Sequence, residues 1–194
     1  MRAHDGADEA PDHEPEDPDE PGEAGEVGEV GEAGEAGEAG EAGATTLRRK
    51  VARVVLVDED DEVLLLSGRD PNAPSAPEFW YTPGGGAEPG EALEDAGRRE
   101  VHEETGHRLG DLGPVRWRRE TSFTFGGFAF HQDESYFVVR TPRFCVHPIA
   151  LTELERRSTT GWRWWPLDEL TTTDAVVYPP ELAGFVRSVE LEPG

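Results

Sequence analysis

Apolar positions in residues 48–69, "RRKVARVVLVDEDDEVLLLSGR", form two runs parted by an acidic turn. This predicts strands near 50–57 and 63–67, joined as an antiparallel hairpin. "DPNAPSAPE" is a proline-rich surface loop, and "FWYTP" a short aromatic strand that runs into three glycines. "PVRWRRETSFTF" and "ESYFVVRT" read as strands. In the first, Val115, Trp117 and Arg119 alternate with Arg116, Arg118 and Glu120, which leaves no clean apolar face. "WRWWPL" is a further strand and "DELTTT" a short turn or helix. "PPELAGFVRSVEL" closes the pattern as a helix with proline in its first turn. Strands and helices intermix without a regular βαβ repeat. That predicts an α/β fold with a mixed sheet between helices.

The longest helical pattern spans about Glu91 to Thr105, with Gly106 where a C-cap glycine belongs. On a wheel advancing about 100° per residue, Leu93, Ala96, Gly97 and Val101 form a small-and-apolar stripe, and Glu100, Glu103 and Glu104 share its side. Like charges three and four residues apart destabilise a helix, and partial burial makes this worse. Two readings account for them. Either a divalent cation sits against that face, since Mg²⁺ selects carboxylate oxygens, or the glutamates lie on a solvated face and pair with Arg98, Arg99 or Arg108. Gly97 in mid-helix predicts close packing against the sheet, because glycine there costs about 1 kcal/mol relative to alanine.

Charge is unevenly spread over the 194 residues, whose formal net charge is −24. Residues 1–46 hold 16 acidic residues and one basic one, Arg2, with few large apolar side chains. Such a segment cannot offset the entropy of ordering, so a disordered acidic tail is expected over 1–46 and one domain over 47–194. Glycine recurs every third residue through 22–43, but a collagen helix is excluded: the repeat lacks proline, and its glutamates would repel across three strands. The acidic start predicts neither signal nor transit peptide, and no run approaches the roughly 20 apolar residues of a membrane span. A single cysteine, Cys145, excludes an internal disulfide and fits a cytoplasmic location. It is expected as a small core residue. The acidic balance argues against a nucleic-acid partner, and without an apolar span no membrane partner is expected. Trp165, Trp164 and Trp162 are expected in core packing more than in stacking on a base, while for Trp80 and Tyr81, flanking the glycines, substrate contact and a core role for one of them stand equal.

Gly85, Glu91, Arg99, Glu100, Val101, Glu103, Glu104 and Gly106 stand at the spacing of the Nudix box, G-x5-E-x7-R-E-U-x-E-E-x-G-U. Residues 85–107 therefore resemble the MutT-like box of the Nudix hydrolase family. One position departs, His107, where the family has an apolar residue; Leu109 is placed to fill that packing site. "FWYTPGGGAEPGE" and "WRWWPLDEL" resemble the family's flanking segments, so the likeness covers about residues 47–190. It implies an α/β/α sandwich with a mixed sheet, and hydrolysis of a pyrophosphate bond in a nucleoside diphosphate linked to another moiety. The cofactor implied is Mg²⁺, or Mn²⁺, held by Glu100, Glu103, Glu104 and the Gly84 carbonyl, or that of Gly85. Glu91 paired with Arg99 would support the site, with Gly85 and Gly106. The general base is left open among Glu100, Glu104 and Glu134, with Asp133 as a neighbour in register. Substrate choice is expected from loops 68–79 and 123–134. A non-catalytic Nudix-like nucleotide- or protein-binding domain, and an RNA 5′-end pyrophosphohydrolase, are the competing readings; a homodimer is left open.

Overall fold

The computed structural model describes residues 46–190, and the expected acidic tail lies outside the described residues. In chain order the elements are β1 (Thr46–Val57), β2 (Glu62–Gly68), β3 (Phe79–Tyr81), α1 (Leu93–Thr105), β4 (Trp117–Phe125), β5 (Phe128–Arg140), α2 (Glu153–Ser158), β6 (Thr159–Pro166), α3 (Leu167–Thr172), β7 (Val176–Tyr178) and α4 (Leu182–Glu190). Among the described residues the strands form one seven-stranded mixed sheet, ordered β4-β5-β1-β2-β3-β7, with β6 also paired to β2. β1 runs parallel to β5 from Thr46↔Ala129 to Val57↔Arg140, and β3 runs parallel to β7. The other pairings are antiparallel, including the expected β1–β2 hairpin at Val57↔Val63.

From Val54 to Val57 β1 is apolar on both faces, and helices cover both. Ala52, Val54 and Leu56 pack with Ala96 and Val101 of α1, and with Leu64 and Phe137. Val55 and Val57 pack on the opposite side with Leu170 of α3 and with Leu182 and Val186 of α4. Each valine, leucine and phenylalanine among them contributes roughly 1.5–3 kcal/mol by leaving water, the alanines less. The result is the α/β/α sandwich. At Gly97 an added Cβ would stand 2.9 Å from Leu112 Cδ1 and 3.2 Å from Val54 Cγ2, the close helix–sheet contact that its mid-helix position implied. Trp165 is buried, and Trp80 meets it edge-on with centroids 5.0 Å apart, while Trp162 is exposed.

Three local expectations are corrected. The span 123–134 is strand rather than loop: β4 and β5 join through Gly126 and Gly127, whose φ values of 59° and 88° suit a two-residue hairpin turn. Polar "HQDES" hid the strand because the side chains it buries, Gln132, Glu134 and Ser135, are themselves polar. Cys145 is exposed, not in the core. Its segment lies across the surface, burying Val146 and half-burying Phe144 while the thiol points out. α2 and β7 were not expected at all. The sheet also curls, so that Phe125 near the end of β4 meets Phe79 of β3 with ring centroids 5.8 Å apart.

Candidate functional site

The site begins with how α1 starts and stops. Ala92 caps it in an extended conformation, and Glu94 and Asp95 in the first turn complement the positive end of the helix. Gly106 ends it at φ 75°, its N–H donating to the His102 carbonyl at 2.8 Å. The freed end is used by the chain that follows β5: His147 N–H donates to the Thr105 carbonyl at 2.8 Å, and Ile149 N–H to that of Glu103 at 2.9 Å. This docking carries the next element, α2, over the same helix face.

Three carboxylates meet there. Oxygens of Glu100, Glu104 and Glu155 all lie within 4.8 Å of one another. Glu100 and Glu104 are only 9% and 4% exposed. Burial pushes both carboxyls above the usual range, Glu104 well above it, and the Glu100 charge adds to the shift at Glu104. Glu104 Oε2 accepts the Gly84 N–H at 2.8 Å, and Glu100 Oε1 accepts from Arg99 Nη1 at 2.8 Å. Glu103 is half-buried and stands outside this trio; its Oε2 accepts from Arg99 Nη1 at 3.1 Å. Arg99 is also gripped by Glu91, from Nε to Oε1 and from Nη2 to Oε2, both at 3.0 Å, and donates to the Gly86 carbonyl at 2.9 Å. One guanidinium thus ties the loop before the helix to two of its glutamates.

The glycines are fitted to this geometry. Gly84 has φ 129°, and a Cβ there would lie 2.1 Å from the Ala52 carbonyl oxygen. A Cβ on Gly85 would strike the Glu100 carboxylate at 2.5 Å. Of the two carbonyls, that of Gly85 accepts the Ala52 N–H of β1 at 3.0 Å. That of Gly84 accepts from Arg53 Nη1 at 2.7 Å. Glu134 lies on β5, outside the trio, and both its oxygens are engaged. Arg53 Nε stands 3.4 Å from Oε1, Arg119 Nε 3.4 Å from Oε2, and the Tyr136 hydroxyl donates to Oε2 at 2.8 Å. Asp133, its neighbour, is exposed. Burial and the nearby Glu104 charge push the Tyr81 phenol far up.

Sequence reasoning missed Glu155. Its signal was the capping box "TELE": Thr152 Oγ1 accepts the Glu155 N–H at 3.3 Å, and Glu155 Oε2 accepts the Thr152 N–H at 2.7 Å. The donor set, two buried carboxylates and a half-buried third, is hard and anionic, and a divalent cation relieves its mutual repulsion; the residues fit Mg²⁺ or Mn²⁺.

Comparison with known proteins follows the same lines. The NUDIX domain model matches residues 47–184. Nucleoside triphosphatase NudI of Salmonella agona is 39% identical over 74 residues, 37% of this chain and 52% of that protein. The m7GpppN-mRNA hydrolase NUDT17 of Xenopus laevis is 42% identical over 62 residues, 32% of this chain and 21% of that protein. The chain thus spans between a fifth and about half of the length of these two relatives. The crystal structure of a MutT protein from Methanosarcina mazei Go1 shares the fold. Its TM-score is 0.52 at 20% identity, covering 75% of this chain and 94% of that one.

Proposed function

Because this chain belongs to the NUDIX domain family, we propose that it is a divalent-cation-dependent hydrolase cutting the pyrophosphate bond of a nucleoside diphosphate linked to another moiety. The observation that carries this reading is the trio Glu100, Glu104 and Glu155, three carboxylates from two helices converging within 4.8 Å. Glu100 and Glu104, with the Gly84 carbonyl and Glu103 beside them, would hold Mg²⁺ or Mn²⁺. A bound cation supplies charge neutralisation for the phosphates and a more acidic water.

The chain's own groups do the rest. Gly85 leaves room for the Glu100 carboxylate itself, since a Cβ there would stand 2.5 Å from its oxygen. Arg99, fixed by Glu91, holds the loop and the helix at constant spacing. Glu155 is the carboxylate delivered from outside the box helix. It takes the proton as water attacks phosphorus and the bond to the leaving phosphate oxygen breaks. Glu134 has a different part in this account: it orients Arg53, which in turn fixes the Gly84 carbonyl.

The test is product release from nucleoside di- and triphosphates, ADP-ribose, nucleotide sugars, dinucleoside polyphosphates and capped RNA, with Mg²⁺, with Mn²⁺ and with chelator. Metal-dependent cleavage of one class by the wild type, absent in Glu104→Gln, supports the reading and names the substrate. Cleavage that survives chelator, or no cleavage of any class, contradicts it.

A further inference from the structure

Among the described residues Arg49 is a cation with no carboxylate in an ion pair. It pairs with Gln132 across β1 and β5. Its guanidinium carbon lies 4.7 Å from the Phe130 ring centroid. The Gln132 amide satisfies both its ends in one orientation. Its oxygen then accepts from Arg49 Nη2 and Nε at 2.6 and 2.8 Å, and its nitrogen donates to Glu134 Oε1 at 3.2 Å. Gln132 is 0% exposed, so this support is rigid. On the other side the arm crosses the glycine loop, since a Cβ on Gly86 would lie 3.3 Å from Arg49 Cδ. A ring, a buried amide and a glycine therefore fix the guanidinium next to Gly86.

Its electrostatics differ from those of its neighbours. Arg53, Arg99, Arg119, Arg143 and Arg163 each have a carboxylate in an ion pair. Among the described residues no carboxylate pairs with Arg49, whose hydrogen bonds go to a neutral amide oxygen. The residue as a whole is exposed, yet crowding of its guanidinium and the Arg53 charge lower its pKa to about 10, which leaves it protonated at neutral pH. Glu100, Glu155 and Glu134 attract it from beyond pairing distance. The two arginines of this strand repel each other beside the glycine loop, so a further anion near Arg49 is electrostatically favoured.

We propose that Arg49 binds a phosphate oxygen of the substrate, on the strength of its fixed guanidinium beside the glycine loop and the carboxylate trio. This rests on the hydrolase reading for its substrate but not for its test. A planar fork suits two phosphate oxygens where an ammonium offers one point charge. Arg49 is therefore a substrate-binding residue that sets affinity for the phosphate chain and leaves the proton transfer to the carboxylates.

Calorimetric titration of inorganic pyrophosphate in the presence of Mg²⁺ reads this directly, using the full chain as wild type, Arg49→Gln, Arg49→Lys and Glu104→Gln. Arg49→Gln should bind pyrophosphate about tenfold to a hundredfold more weakly, the size of a charge-assisted contact. Arg49→Lys should recover part of that loss. Affinity for Mn²⁺ alone should be unchanged in both Arg49 variants, and with substrate KM should rise while kcat stays within about threefold. Wild-type pyrophosphate affinity in Arg49→Gln would overturn the inference even if hydrolysis is found. So would an effect confined to kcat. Arg49-dependent binding without hydrolysis of any substrate would support the inference while the hydrolase reading fails.

Discussion

At position 104 a carboxylate has almost no water left to it, and its hydrogen bond comes from a backbone N–H rather than a cation. Burial raises its pKa above that of the unfolded chain. The folded state therefore holds the proton more tightly, and stability is lost as pH rises from the ordinary glutamate value, about 4.3, through the higher folded value. In chelator, Glu104→Gln should melt higher than wild type at neutral pH, and the gap should close on acidification. The same variant should lose about a hundredfold or more in rate, because the residue is placed to hold the cation. A mutant that melts lower than wild type in chelator would contradict this reading of the burial cost. Gly85 makes a second test. Gly85→Ala inserts a methyl where the Glu100 carboxylate stands. It should cost about 1–3 kcal/mol by denaturant unfolding and also reduce activity, whereas an unchanged protein would mean the loop yields freely.

Among the elements, α2 is the one on which the account depends most. Six residues are too few to show a helical period, and the helix is held by its capping box and by the docking of 147–150 on α1. Thr152→Ala should cost about 1 kcal/mol and, by loosening Glu155, lower the rate about tenfold or more. Thr152→Ser, which keeps the capping oxygen, should match wild type in both melting and rate. The contrast between α1 and α2 also explains what was legible beforehand. α1 announced itself through length, an apolar stripe at 96, 97 and 101, and Gly106 at its end. So did the β1–β2 hairpin, through two apolar runs about an acidic turn. The three-residue β7 carries too short a pattern, and β5 was cut short because His131, Gln132 and Asp133 look like loop residues. The carboxylates on one helix face could be read from spacing alone. Glu155 could not, because its arrival depends on a path across the surface that no periodicity encodes; only "TELE" hinted at a helix start. Glu134 was legible as an acid on a strand, but not as the partner of two arginines and a tyrosine.

For the whole molecule, acid and metal act on different parts of the fold. Asp58, at the β1–β2 turn, is buried, which alone would raise its carboxyl. Glu62 N–H at 2.8 Å, Arg143 Nε at 2.7 Å and Asp60 N–H at 3.0 Å outweigh this and hold it below the usual range. Its contribution is therefore present above the ordinary aspartate pKa of about 3.9 and is lost as pH falls through the lower folded value. Asp58→Asn should cost about 1–3 kcal/mol at neutral pH, a difference that shrinks in acid, as urea unfolding at several pH values would record. Among the described residues no helix is long and apolar enough to cross a membrane. The 16 acidic residues of positions 1–46 offer weak cation sites common to every variant, so any metal measurement must be read as a difference. The most direct one is Mn²⁺ titration followed by the electron paramagnetic resonance of the free ion, with wild type, Glu104→Gln, Glu155→Gln and Glu134→Gln. If Glu104 is a ligand of the cation and Glu155 the proton acceptor, the tightest class of binding weakens at least about tenfold in Glu104→Gln and persists in Glu155→Gln and Glu134→Gln. Equal binding by all four proteins, or loss in Glu134→Gln alone, would contradict it.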